Sequence, residues 1–156
     1  MTAYHSQLGK LWVLVADGEH ARILVHGADA GSYRTERRLD SANAHLRTHD
    51  MVSDGRGRVH ESATTTRHAV EPRTDPHSEA KHQFAVFLAD QINQDAAAKH
   101  FDRLALVAPA HVMHDLRHAL SHEADALLVG FLQKDLVKVP DAEIGPHLTW
   151  DVVQAG

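Results

Sequence analysis

The chain contains no cysteine. Disulfides, thiolate metal sites and a cysteine nucleophile are therefore excluded, and the composition suits a reducing cytoplasm. No run of 18 apolar residues occurs, so no membrane-spanning helix is expected. The N-terminus MTAYHSQLGK lacks a basic stretch followed by a long apolar one, so no secretory signal is expected either. No Gly-x-Ser-x-Gly elbow, P-loop or dinucleotide fingerprint is present. Aromatic residues are scarce, at 5% of the chain. The stretch from 41 to 75 has none at all, and very few large aliphatic residues.

That stretch, SANAHLRTHDMVSDGRGRVHESATTTRHAVEPRTD, is the most informative part of the sequence. Compact domains rarely keep structureless loops beyond about 12–15 residues unless the loop serves function or is disordered. A rigid scaffold that carries one long polar loop usually works through it. Over residues 41–73, Arg47, Arg56, Arg58, Arg67 and Arg73 stand against Asp50, Asp54, Glu61 and Glu71, a net of +1. The loop is thus mildly cationic within a chain of formal net charge −5. Arginine favours bidentate contact with phosphate or carboxylate. The acidic excess lies after residue 74, and the overall negative charge argues against strong non-specific nucleic-acid binding.

Histidine is abundant, at 15 residues. Near the ordinary imidazole pKa of about 6.5 half of them would be charged, so solubility and partner choice are expected to depend on pH. His111, His114, His118 and His122, placed on one helix, span a stripe of roughly 80°. The apolar residues Val112, Met113, Leu116, Ala119 and Leu120 lie on the far side. The stripe therefore faces solvent, where nothing would orient the rings around a resident metal. Only adventitious metal binding is expected of it, and no cofactor is expected elsewhere.

The remaining segments are strongly patterned. Leu11–Ala16 is an apolar run of β-formers ended by Asp17-Gly18, and it predicts a strand covered on both faces. Residues 21–26 read as its antiparallel partner, and 32–40 as a polar third strand at the sheet's edge. Such an edge offers a surface for a homodimer. Asp75 and Pro76 are suited to start a helix running to about residue 99, with Ala80, Phe84, Phe87, Leu88 and Ile92 at helical spacing. A strand at 103–108, a helix through 112–120, a strand at 126–131 with an extension toward Val139, and a short helix from Pro140 to about His147 complete the chain. The expectation is one domain over 1–156, α/β, in the order β-β-β-α-β-α-β-α. A three-stranded meander followed by helix-linked parallel strands is the ribonuclease H-like arrangement of a mixed five-stranded sheet.

Nucleases of that fold need several carboxylates on two metal ions. Asp17 and Glu79 stand at suitable places, but the fourth strand ends in Ala108-Pro109 without an acid. Asp17 also suits a plain Asp-Gly turn, Glu79 suits a helix N-terminus, and Trp12 and Trp150 read as packing residues. Gly55-Arg56-Gly57-Arg58 is as consistent with a flexible turn as with a phosphate contact. Arg67-His68 and Glu71-Pro72 fit either a partner contact or an Arg–Glu pair that pins the loop.

Trp12 to Asp17 with Ala21-Arg22-Ile23, then Gly57-Arg58, Arg67-His68-Ala69, Glu71-Pro72, Asp75, His77, Glu79 and Phe84-Ala85 resemble the bacterial host-attachment protein family. Leu104 to Pro109 with Leu116-Arg117, and Lys134-Asp135-Leu136, continue the resemblance over nearly the whole chain. That family is similar in fold to the middle domain of archaeal and eukaryotic peptide-release factors, where a loop ahead of the helix carries a Gly-Gly-Gln tripeptide. The resemblance places that loop at residues 41–75, but no glutamine occurs there. It therefore implies a cytoplasmic, translation-associated module that contacts ribosome or structured RNA without the release tripeptide. Arg56, Arg58, Arg67, His68 and Glu71 are its candidate binding residues, and Asp17 shapes the loop base. The alternatives left open are an adaptor that binds a protein partner, and a divergent metal-dependent hydrolase.

Overall fold

The computed structural model describes residues 9–42 and 76–148. Five strands form one mixed sheet: β1 (Leu11–Ala16), β2 (His20–His26), β3 (Tyr33–Asp40), β4 (Arg103–Val107) and β5 (Leu128–Leu132). Their lateral order is β3-β2-β1-β4-β5. β2 runs antiparallel to both of its neighbours, while β1, β4 and β5 are mutually parallel. β1 is therefore central, and all six of its residues are buried, as its unbroken apolar run requires. β3 is the polar edge strand, alternating between half-buried and exposed positions. Part of that edge is already blunted, because Asp141 Oδ2 accepts the Thr35 backbone N–H at 2.8 Å.

Two apolar layers sandwich the sheet. On one face Trp12, Leu14, Ile23 and Leu106 pack under α1 (Pro76–Ala97) and α2 (Ala110–Ala119). Phe84, Leu88 and Ile92 of α1 recur at i+4 and are 2% exposed or less. Each contributes roughly 1.5–3 kcal/mol of burial. The first eight residues of α1 are all exposed, so this part of the helix stands clear of the core. Its other end closes with Lys99 in the left-handed region (φ 62°) and His100 N–H bonded to the Asp95 carbonyl at 2.9 Å. On the opposite face Leu11, Val13, Val15, Leu24 and Val107 meet Leu136, Val137, Ile144 and Leu148. Here the short helix α4 (Asp141–Ile144) and a 3₁₀ turn (Gly145–His147) cover the sheet.

Trp12 is a packing residue. Its ring stacks on Phe101 at 4.9 Å, and the Arg37 guanidinium lies 5.3 Å from its centroid. Arg37 in turn pairs with the buried Asp95 at 3.1 Å, and His100 Nδ1 sits 2.8 Å from the other Asp95 oxygen. Trp150 and Asp75 lie outside the described residues.

The element order departs from expectation in one place. A separate helix, α3 (His122–Ala126), precedes β5, giving β-β-β-α-β-α-α-β-α. Ser121 starts it, its side chain accepting the Ala124 N–H at 3.1 Å. β5 consequently begins at Leu128, and residues 133–139 do not prolong it. α2 ends at Ala119 because Leu120 turns to an extended conformation. His122 therefore belongs to the next helix, and the four-histidine stripe on one helix is reduced to His111, His114 and His118.

Candidate functional site

The carboxyl ends of β1, β4 and β5 open onto a crevice of about 600 Å³. Crevices at this end of parallel strands are where open α/β sheets bind ligands, because chain crossovers leave the strand ends uncovered there. Four separate segments line it. The β1–β2 turn contributes Asp17 to His20, and the exposed start of α1 contributes Ser78 and Lys81. Pro109 to Val112 with Asp115 form the α2 wall, and Asp135 and Lys138 close the crevice from the segment after β5.

The turn is rigid for a local reason. Asp17 Oδ1 accepts the backbone N–H groups of Glu19 (2.8 Å) and His20 (2.7 Å), while Asp17 N–H donates to the His20 carbonyl at 2.9 Å. Gly18 permits close approach of α1: a Cβ there would lie 2.7 Å from Lys81 Cγ. Ser41 N–H donates to the Glu19 carbonyl at 2.8 Å, which fastens the chain leaving β3 to the same turn. Residues 41 and 42 on one side and the start of α1 on the other thus converge on the crevice. Ser41, through Glu19, and Ser78 and Lys81 of α1 are the described residues nearest the two sides of that rim.

The far wall is held from beneath. Arg22, 4% exposed on β2, donates from Nη1 to the Val137 carbonyl and from Nη2 to the Val139 carbonyl. Its Nε lies 3.3 Å from Asp141 Oδ1. These two carbonyls flank Lys138, so the buried guanidinium fixes the backbone that presents Lys138 to the crevice. Burial lowers the Arg22 pKa; Asp141 opposes that shift and Arg38 adds to it. On the other side, His82 Nδ1 and Asp115 Oδ2 approach to 3.3 Å and tie α1 to α2.

Of the residues expected to form the site, Asp17 lines the crevice. Arg56, Arg58, Arg67, His68 and Glu71 lie outside the described residues. Glu79 does not line the crevice; its carboxylate accepts from Gln83 Nε2 at 3.2 Å on α1. His111 lines the crevice, whereas His114 and His118 lie on the exposed flank of α2, their rings near-parallel with centroids 6.0 Å apart. Among the described residues no three His, Asp or Glu side chains are grouped to hold a metal ion.

Lys81, Lys138 and the supporting Arg22 were not apparent from the sequence. The signals for Arg22 were its place in the Ala21-Arg22-Ile23 motif of the family resemblance and its standing as a single arginine inside the apolar run Ala21–Val25. Its partners are 115 and 117 residues away.

A family model described as "Protein required for attachment to host cells" matches residues 12–148. No curated protein matches the chain.

Proposed function

The chain belongs to the family of proteins required for attachment to host cells, and on that premise we propose that it works as a translation-associated module contacting ribosome or structured RNA. Attachment is then a downstream consequence of what the module does in the cytoplasm. The observation that carries this reading is the convergence of residues 41–42 and the start of α1 on the crevice. That convergence supports assigning the arginines between residues 43 and 75 to the same rim. Arg56, Arg58 and Arg67 act as phosphate contacts, His68 and Glu71 support them, and Asp17 holds the base of the segment. Lys81 and Lys138 are the two lysines of the crevice, where they stand among the carboxylates of Asp17, Glu19, Asp115 and Asp135.

The sheet order β3-β2-β1-β4-β5, with only β2 reversed, supports a ribonuclease H-like classification and, through it, likeness to the release-factor middle domain. We take the whole chain as one domain. No helix among the described residues is long and apolar enough to cross a membrane. The lack of glutamine between 41 and 75 removes the tripeptide chemistry and leaves binding.

The test is an anisotropy titration of a labelled RNA hairpin, and of purified ribosomes, at 50 and 200 mM salt. Each phosphate contact contributes about 0.7–0.9 to the slope of log K against log salt. The triple variant Arg56→Ala/Arg58→Ala/Arg67→Ala should therefore flatten the slope by about 2–3. No binding at micromolar protein in low salt defeats the proposal. A partner retained from RNase-treated lysate would favour the adaptor reading, for which the acidic half after residue 74 is the supporting feature.

A further inference from the structure

We propose that the exposed flank of α2, together with the ring of Phe131 on β5, is a base-stacking surface for single-stranded RNA. This rests on the RNA reading above but uses none of its arginines. Phe131 is one of two large apolar side chains exposed among the described residues, at 39%. A lone exposed phenylalanine is unremarkable by itself, but this one is part of an array. The Arg117 guanidinium lies 4.5 Å from the Phe131 centroid. On the same helix the His114 and His118 rings lie near-parallel, 15° apart in plane.

His114, Arg117 and His118 border a polar groove of about 380 Å³ that also takes in Asp125 and Gln133. Three planar groups of α2 thus border the groove, and one of them, the Arg117 guanidinium, lies over the Phe131 ring of β5. Unstacked nucleobases are held on such planes, on arginine guanidinium faces as well as on aromatic rings. Asp125 and Gln133 supply acceptors for exocyclic amino groups, which hydrogen-bond at base edges. Arg117 supplies the only full positive charge among the side chains lining the groove, suited to a phosphate between successive bases.

A protein partner fits less well, because the cores of such interfaces are depleted of charge and rich in apolar anchors, whereas the groove is lined by His114, Arg117, His118, Asp125 and Gln133 with Met113 alone apolar. The patch is also continuous with the crevice: His111, which lines the crevice, is one helical turn from His114. A strand entering at the crevice would pass along α2 and end on Phe131.

The probe is a 12-nucleotide oligoadenylate carrying one 2-aminopurine, titrated into the full chain. Phe131→Ala should weaken binding about tenfold, the effect of losing about one stacked base, and should abolish the quenching of 2-aminopurine. Arg117→Lys keeps the charge but loses the plane, and should weaken binding severalfold. Neither change should alter the salt slope, whereas Phe131→Tyr should restore both affinity and quenching. Far-UV circular dichroism and thermal melting confirm that each variant is folded. If wild type binds and quenches while Phe131→Ala and Arg117→Lys match it, the stacking surface is wrong and the RNA reading stands. If wild type leaves the oligoadenylate unbound while the hairpin or ribosome titration shows salt-dependent binding, the stacking surface falls and the RNA reading stands; if it binds none of the three, both fall.

Discussion

Truncating Arg22 is the sharpest test of how the crevice is held. The side chain is 4% exposed and bridges the Val137 and Val139 carbonyls while lying against Asp141. Arg22→Ala leaves both carbonyls without that donor, at about 1–3 kcal/mol for each buried group left unpaired. It also strips a cation from a half-buried carboxylate, and breaking a buried ion pair costs about 3–5 kcal/mol. These costs overlap because the same atoms are counted in both, so the expected loss is about 3–5 kcal/mol rather than their sum. Against a typical total of about 5–15 kcal/mol this is a large fraction.

Urea unfolding followed by circular dichroism reads the loss as a fall in midpoint at constant slope. Arg22→Met should lose less, because it refills the volume without burying a charge. Arg34→Ala is the control: Arg34 is 63% exposed and pairs only loosely with Glu36, so the change should stay within about 0.5 kcal/mol. The Arg22 pKa is lowered chiefly by burial. A base with a depressed folded-state pKa gives stability that rises only as pH climbs into the strongly alkaline range where guanidinium ordinarily titrates, so Arg22 should add no stability step between pH 5 and 8. A cost below about 1 kcal/mol for Arg22→Ala would refute the claim that this guanidinium holds the wall.

Two further outcomes follow from the same kind of accounting. Asp17→Ala removes the acceptor for the Glu19 and His20 N–H groups and should cost about 1–2 kcal/mol, whereas Asp17→Asn keeps an acceptor oxygen and should cost about half as much, both read from urea melts. Asp95→Ala unpairs Arg37 and His100 beside Trp12. It should cost about 2 kcal/mol, reduced from a fully buried pair by the exposure of both partners, and should shift the near-ultraviolet signal of the Trp12 environment; an unchanged spectrum would count against that coupling.

The sheet was legible because its signals are local. Leu11–Ala16 and Arg103–Val107 are short apolar runs bounded by Asp17-Gly18 and Pro109, and period and punctuation locate them to within a residue. Polar Tyr33–Asp40 could only be an edge. α3 went unseen because five residues are too few to show a period, and its one cue, Ser121, also reads as a loop residue. The crevice was half legible. Asp17 has a turn signature, but Lys81 and Lys138 belong to segments brought together only by tertiary packing. The partners of Arg22 and Asp141 are more than 100 residues away in sequence, and no window sees such a pair.

How the crevice uses its acids bears on whether it could hydrolyse a phosphodiester. A two-metal clamp needs carboxylates free to converge on the ions. One Asp17 oxygen is already occupied by two backbone N–H groups, Asp115 is paired with His82, and Glu79 accepts from Gln83 away from the crevice lining. β4 delivers Ala108 and Pro109 where another ligand would stand. Glu19 and Asp135 remain, and they share the crevice with Lys81 and Lys138, whose charges oppose metal capture. Four carboxylates thus line the crevice against two lysines, but with Asp17 and Asp115 engaged elsewhere only Glu19 and Asp135 are left to converge on an ion. Asp17→Asn separates the two roles: the amide keeps the turn bonds but removes the charge a metal would need. A binding module should therefore retain nearly all of its RNA affinity in Asp17→Asn. A hydrolase, assayed with magnesium or manganese on phosphodiester substrates, should lose its turnover, and a measured loss of that kind would overturn the binding assignment.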